Sequence, residues 1–331
     1  MARPARTSNT RIDHVLQEAL ARLEAAFPGR IRACYIEGSY AVGIALTTSD
    51  LDLTIVFCER FKSQAEREQA RHLCSEYAAQ IDMELDVEIV DEASLQDGVY
   101  PQFKLASQLF YGVDIRAYCP LISMERWTRE RMHAAYWLMI HVFNRPALVH
   151  LPLTAPDPSD RFLGYTNRTI RLLDGSSVPS TRNLIRTTGW AATALIAWQT
   201  ERYVTSKRNC HMLYRNYIND EWAGLLDDLY SWCRSAWQYL VPESADDQQR
   251  LQAICRRALA FENHFLVRYK AFLLTQLQDT TEEVLLTALH VMSQLPFNDV
   301  QMRETIQALA RDKRPDIQTL AQETLTLLQR R

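Results

Sequence analysis

The sequence predicts an α/β domain followed by an all-α helical domain, and three observations carry the prediction. Within the first 120 residues, short apolar runs of strand length alternate with amphipathic segments of helical period. Beyond residue 121 the segments read as helices. All seven tryptophans (127, 137, 190, 198, 222, 232 and 237) lie past Cys119-Pro120, where the composition changes. At 331 residues the chain exceeds the usual size of one domain. The expected division is an α/β domain over 1–120, a helical domain over 121–280 and a C-terminal helical extension over 281–331.

Each element has its own signal. Residues 12–27 (IDHVLQEALARLEAAF) repeat apolar side chains every three or four positions, which predicts a helix that Pro28-Gly29 stops. Arg32 to Phe57 reads as strand, turn, strand. Gln64 to Ile81, rich in Glu, Arg and Ala, reads as the next helix. The stretch ELDVEIV alternates: Glu84, Asp86 and Glu88 face one way, Leu85, Val87 and Ile89 the other. Glu84, at the strand's end, is expected to face solvent. Pro101 to Tyr118 continues as apolar segments broken at Gly112, and Asp114 reads as a turn cap or surface acid.

Residues 123–144 predict a helix that the three prolines of LPLTAPDPSD break. Thr181 to Tyr203 reads as a long helix with Trp190 and Trp198 near one face, and Thr205-Ser206-Lys207 open the next turn. Asp247 to Leu277 is expected to form a helix pair anchored by Phe261, Phe265 and Phe272. The last fifty residues read as three helices: Glu282 to Leu295 stopped by Pro296, Asp299 to Ala310 opened by Asn298, and Pro315 to Gln329 with proline in an opening position. Their pattern is reminiscent of HEAT-type repeats. Too few repeats are present for a free solenoid, so packing on the preceding helices is expected. The tryptophans have two readings, cleft walls for a flat or sugar-like acceptor or core ballast, and helical spacing favours ballast for most.

Composition excludes several classes. A hydrophobic share of 47% and a charged share of 23% are those of an ordinary globular protein. No apolar run approaches the roughly 18 residues a membrane span needs, and MARPARTSNTRIDH lacks the apolar core of a signal peptide, so a cytoplasmic location is expected. Seven scattered cysteines without a CxxC pair suit reduced thiols. Cys210-His211 has no second ligand pair at zinc-site spacing. Residues 1–120 carry 12 basic and 18 acidic side chains, and residues 121–280 carry 19 and 15. The acidic segment would suit metals and a cationic acceptor; the basic one would suit a triphosphate or RNA. Arg161, Arg168, Arg171, Arg182 and Arg186 are read as a basic face.

The chemistry concentrates in IEGSYAVGIALTTSDLDLTIV, residues 36–56. Period two places Asp50 and Asp52 on one face of a strand and Leu51, Leu53 and Ile55 on the other. Two neighbouring acids repel unless a cation sits between them, and a divalent metal is the obvious cation. Gly38 and Gly43 are two of only 9 glycines. A glycine at a strand end lets the backbone approach a ligand, successive N–H groups there suit phosphate oxygens, and Ser39 adds a hydroxyl.

Gly38-Ser39 followed by Ser49-Asp50-Leu51-Asp52-Leu53 resembles the signature of the DNA polymerase β-like nucleotidyltransferase superfamily. The closer resemblance is to aminoglycoside (streptomycin/spectinomycin) adenylyltransferase-like proteins, over roughly the first two thirds of the chain. It implies a mixed sheet with helices, Mg²⁺ as cofactor and ATP or another NTP as co-substrate. It also implies a third carboxylate on a neighbouring strand, completing the metal site or taking the acceptor's proton. Asp86 matches that acid by position, with Glu88 as the alternative. The resemblance further implies a lysine from the helical domain reaching the triphosphate, for which Lys207 in VTSKRN holds the place. Asp50, Asp52 and Asp86 are thus the expected catalytic and metal-binding residues; Gly38, Ser39 and Lys207 are the expected nucleotide ligands. The implied reaction moves AMP or another NMP to a hydroxyl of a small polyhydroxylated acceptor such as an aminoglycoside. A toxin-like enzyme acting on tRNA or a protein is the alternative, and an inactive nucleotide-binding or scaffold module a third.

Overall fold

The computed structural model of the chain describes residue 7 and residues 9–146, 150–172, 175–295, 297 and 300–329, with Lys207 and Gln329 described in their backbone only. Helix α1 (Thr10–Ala26) starts where the Asn9 side chain accepts hydrogen bonds from the amides of Arg11 and Ile12. The chain continues through β1 (Ile31–Glu37), a short helix α2 (Gly38–Ala41), β2 (Leu51–Phe57), α3 (Gln64–Ala78), β3 (Leu85–Asp91), α4 (Pro101–Ala106) and β4 (Gln108–Gly112). The strands form one mixed sheet in the order β3-β2-β1-β4. β1 runs antiparallel to β2 and β4, and β2 runs parallel to β3.

Alternation along the strands decides what each face does. Cys34 and Ile36 of β1 and Leu51, Leu53, Ile55 and Phe57 of β2 are buried in one core with residues of α1 and α3. Ala33, Tyr35 and Val56 point to the other face, under a smaller core with Val99, Phe103 and Ile115. That second core stops short of the strand ends, and there the same face carries Glu37, Asp52 and Asp86.

The rest is helical apart from a hairpin of β5 (Thr169–Arg171) and β6 (Ser177–Pro179). Its helices are α5 (Met124–His141), α6 (Arg182–Thr200), α7 (Lys207–Tyr217), α8 (Ala223–Asp228) running into a π-helical turn over Leu229–Ala236, α9 (Ala245–Gln276), α10 (Glu282–Gln294), α11 (Val300–Leu309) and α12 (Pro315–Gln329). The expected helix pair over Asp247–Leu277 is one helix of 32 residues. Nothing in LQAICRRALAFENHFLVRYKAFLLTQ breaks it, since the stretch holds neither Gly nor Pro. Leu285, Leu289, Met302, Ile306, Ile317 and Ala321 share one buried cluster with Phe272 and Leu273 of α9, so the last three helices extend the helical core. Pro296, Asn298 and Asp299, the expected boundary signals there, lie outside the described residues. Trp127 is fully buried. The other six tryptophans are partly buried against the helical core. None of the seven cysteines is in a disulfide, and among the described residues no helix is long and apolar enough to cross a membrane.

The two parts are clamped together by the arginines that the sequence reads as a basic face. Arg182, 5% exposed at the start of α6, pairs with Glu84 and donates to the Thr48 carbonyl; its Nη1 lies 3.8 Å from Asp50 Oδ2. Arg168 pairs with the other oxygen of Glu84, and Arg171 Nη2 lies 3.7 Å from Asp82 Oδ1. Arg161 donates to Gln248. The expected basic face is therefore not presented as such: four of its five arginines are engaged within the molecule. Glu84 is exposed at the strand's end, as expected, but it also sits between two guanidiniums of the helical part. Glu84→Ala is expected to destabilise the protein by about 1–2 kcal/mol. It leaves a buried Arg182 without its main counter-ion, while the Thr48 carbonyl and Asp50 remain. Thermal unfolding of the variant checks this, and an unchanged melting temperature would show the clamp to be energetically idle.

Candidate functional site

The site is built where β1 ends. Gly38 has φ +63, a left-handed conformation that disfavours any Cβ. A Cβ placed there would sit 2.1 Å from Asp52 Oδ2, so the turn and the carboxylate are in direct contact only because residue 38 is glycine. Ser39 follows with its hydroxyl buried and without a hydrogen-bond partner among the described residues. The loop beyond folds back through Ile44 N to Ser39 O (3.0 Å), and Ser49 Oγ accepts from Leu46 N (2.9 Å). Gly43 has φ +68, but a Cβ there would meet nothing within 4 Å.

Strand register then sets the acids side by side. Asp52 lies opposite Asp86 on the parallel β3 and opposite Glu37 on the antiparallel β1, while Thr54 lies opposite Glu88 and Tyr35. Asp50, just before β2, shares the parity of Asp52. Glu37 is the residue that sequence reasoning missed. Its carboxylate accepts from Thr54 Oγ1, and burial pushes its pKa up, with the Thr54 hydrogen bond opposing and the charge of Glu88 adding. The signal was present in the alternation of Ala33, Tyr35 and Glu37, but only the register with β2 turns it into a neighbour of Asp52. Glu88, an exposed residue that is not among those lining the cavity described below, is also pushed up, by partial desolvation and then by the charge of Asp86, against the pull of Arg67 and Arg71.

Asp50 and Asp52 line a cavity of about 230 Å³ between the two parts of the molecule, together with Gly38 and Ser39. Asp86 is not among the residues lining it. Among the described residues no group of three or more His, Cys, Asp or Glu side chains is gathered closely enough to hold a metal ion. Magnesium is ordinarily held by one or two carboxylates, waters and substrate phosphates, without an all-protein cage. Two cavity-lining carboxylates beside an unpartnered buried hydroxyl fit such an ion.

The helical wall of the cavity is cationic and aromatic. Arg131, Arg186 and Arg234 line it, and none of them makes an ion pair among the described residues. The Arg131 guanidinium lies 4.5 Å from the ring centroids of both Trp127 and Trp190, and burial lowers its pKa from the usual arginine range. Arg234, 4% exposed, donates to Ile44 O at 2.6 Å and so holds the loop after the Gly-Ser turn. Helix α7 also starts at the cavity. Thr205 and Ser206 line it, and the Ser206 side chain caps the helix by accepting from Asn209 N. Lys207 opens that helix, but its side chain, the expected triphosphate ligand, lies outside the described residues. Trp190 and His211 complete this wall. Asp114 is held by Arg116 and by Tyr35 OH, in keeping with a structural role. The signals missed here were distant in sequence: Arg131 and Arg234 stand 81 and 184 residues after Asp50, in helices that carry no motif.

No family model matches the chain, and no curated protein matches it. Among solved structures it is similar to spectinomycin adenyltransferase AAD(9) from Enterococcus faecialis, a structure with ATP and spectinomycin, at 11% identity over 75% of this chain and 98% of that one, with a TM-score of 0.42. It is also similar to a protein from Sulfolobus solfataricus assigned to the nucleotidyltransferases, at 24% identity over 31% of this chain and 82% of that one, with a TM-score of 0.24. A third is the toxin–antitoxin MntA-HpeT, at 18% identity over 37% and 97%, with a TM-score of 0.24.

Proposed function

We propose that the protein is a magnesium-dependent nucleotidyltransferase that moves the NMP of an NTP, AMP for choice, to a hydroxyl of a small polyhydroxylated cationic acceptor such as an aminoglycoside. The observation that carries the reading is the contact of the left-handed Gly38 with the Asp52 carboxylate. It joins a phosphate-holding turn to a cation-demanding acid at the mouth of one cavity.

In this reading the backbone of Gly38-Ser39 and the Ser39 hydroxyl hold phosphate oxygens, and Arg131, Arg186, Arg234 and Lys207 neutralise them from the helical side. Asp50 and Asp52 would hold Mg²⁺, with Asp86 beside Asp52 completing the set; the ion supplies charge stabilisation at the attacking and leaving oxygens. The acceptor oxygen attacks the α-phosphorus, the bond from that phosphorus to the β-bridging oxygen breaks, and pyrophosphate departs. Glu88, one pleat beyond Asp86 and one methylene longer, takes the acceptor's proton. The acids Glu37, Asp86 and Glu88 on one face suit a polyamine-like acceptor. Because Arg168, Arg171 and Arg182 are occupied by Glu84 and Asp82, the tRNA reading loses the cations that favoured it.

The test is pyrophosphate release from each of the four NTPs with Mg²⁺, in the presence of aminoglycosides, total tRNA or buffer alone. Stimulation by an aminoglycoside is the expected result. Stimulation by tRNA only would overturn the acceptor, and silence throughout would overturn the reaction.

The base assignment makes a separate prediction. Only the carboxylate form of Glu88 accepts a proton, and its pKa lies above the ordinary carboxylate range. Activity should therefore fall as pH drops through that raised value, earlier than an unperturbed Glu would allow. Glu88→Gln should lower kcat by about 10²–10³-fold and remove this limb from the pH profile. A Gln variant that keeps the same acid limb would assign the base elsewhere.

A further inference from the structure

The helical end of the cavity holds a polar atom that the reaction just described does not use. His211 lines the cavity, and its Nδ1 lies 3.2 Å from Asp227 Oδ1. Asp227 also accepts from Arg215 Nε at 2.6 Å, which keeps the carboxylate ionised and acceptor-only. The Asp227 carboxylate calls for a proton on Nδ1, and in the tautomer that places the single ring proton there Nε2 is an acceptor. That nitrogen is buried and has no hydrogen-bond partner among the described residues. The ring cannot easily turn away, because it is stacked on Tyr230 with centroids 4.2 Å apart and planes at 22°. Around it the cavity is lined by Val204, Cys210, Leu226 and Leu229, a wall suited to a flat ring. Along α7, His211 stands four residues, about 6 Å, beyond the helix start.

We infer that His211 reads the base of the nucleotide, accepting a hydrogen bond at Nε2 from an exocyclic amine and so selecting adenine over guanine. The inference rests on the reading of this cavity as a nucleotide site. Phosphates held at the Gly38-Ser39 turn and the start of α7 leave the base to lie along the first turns of that helix, against the apolar wall. Adenine brings an amine donor to Nε2. Guanine brings a carbonyl at the corresponding position, so two acceptors would face each other with no proton between them. Asp227 is a positioning residue that sets the tautomer.

The experiment compares the affinity of the full chain for ATP, for purine riboside triphosphate, which carries hydrogen in place of the amine, and for GTP, by displacement of a fluorescent nucleotide. ATP should bind about tenfold more tightly than purine riboside triphosphate, the value of one hydrogen bond to an otherwise unpaired buried acceptor, and GTP more weakly than either. His211→Phe, which keeps the stack on Tyr230, should bring ATP down to its analogue and leave inorganic tripolyphosphate binding unchanged. Equal binding of ATP and purine riboside triphosphate by the unmodified protein would overturn the base reading while the nucleotide site stands. Failure of every nucleotide to bind would overturn the nucleotide site and this inference with it. The ligand series on the unmodified protein decides the matter even if the variant does not fold.

Discussion

Asp52→Asn should reduce pyrophosphate release by at least about 10³-fold while leaving the fold intact. The carboxylate is in contact with the Gly38 turn and flanked in register by Glu37 and Asp86, so it is the acid through which both the turn and the neighbouring strands act. Removing its charge also removes repulsion from a crowded acidic face. The variant's melting temperature should therefore match or exceed that of the parent. This joint outcome, lost turnover with no lost stability, separates a functional acid from a structural one. Asp50→Asn should lose comparable activity, although it also removes a carboxylate 3.8 Å from Arg182 and so costs a little stability. Turnover retained in either well-folded variant would sink the metal assignment.

Gly38→Ala carries the second largest effect, and Gly43→Ala is its control. Both glycines are left-handed, with φ +63 and +68, so each alanine incurs about 1–2 kcal/mol of backbone strain. Only at position 38 does the new methyl meet something: it would lie 2.1 Å from Asp52 Oδ2, and the carboxylate or the turn must move. A displacement of about 1 Å at such a site costs on the order of 10² in rate. Gly38→Ala is thus expected to lose about 10²-fold or more in kcat, and Gly43→Ala to lose stability alone. Steady-state kinetics with parallel thermal unfolding checks the pair, and equal activity losses would show that strain, not the contact with Asp52, is what matters.

Much of the architecture was legible from local pattern. Alternation in LDLTIV and LDVEIV announced two strands with acids on one face, and three- and four-residue spacing announced the helices. These are properties of single segments, where the backbone's own period decides which way a side chain points. The pair of helices expected over Asp247–Leu277 is instead one helix, because no residue in it interrupts the backbone.

What one segment means to another was not legible. The sequence by itself determined that Asp50 and Asp52 share a face, that a Gly-Ser turn precedes them, and that a mostly helical part follows. The tertiary structure alone decided that Glu37 stands beside Asp52, because strand register is a relation between two segments. It alone turned Glu84, Arg168 and Arg182 from surface charges into a clamp, and brought Arg131, His211 and Arg234 to the same cavity as the turn at Gly38. The physical reason is range: dihedral preference and side-chain period act over a few residues, whereas burial of a charge or an unpaired nitrogen is set by the docking of elements far apart in the chain.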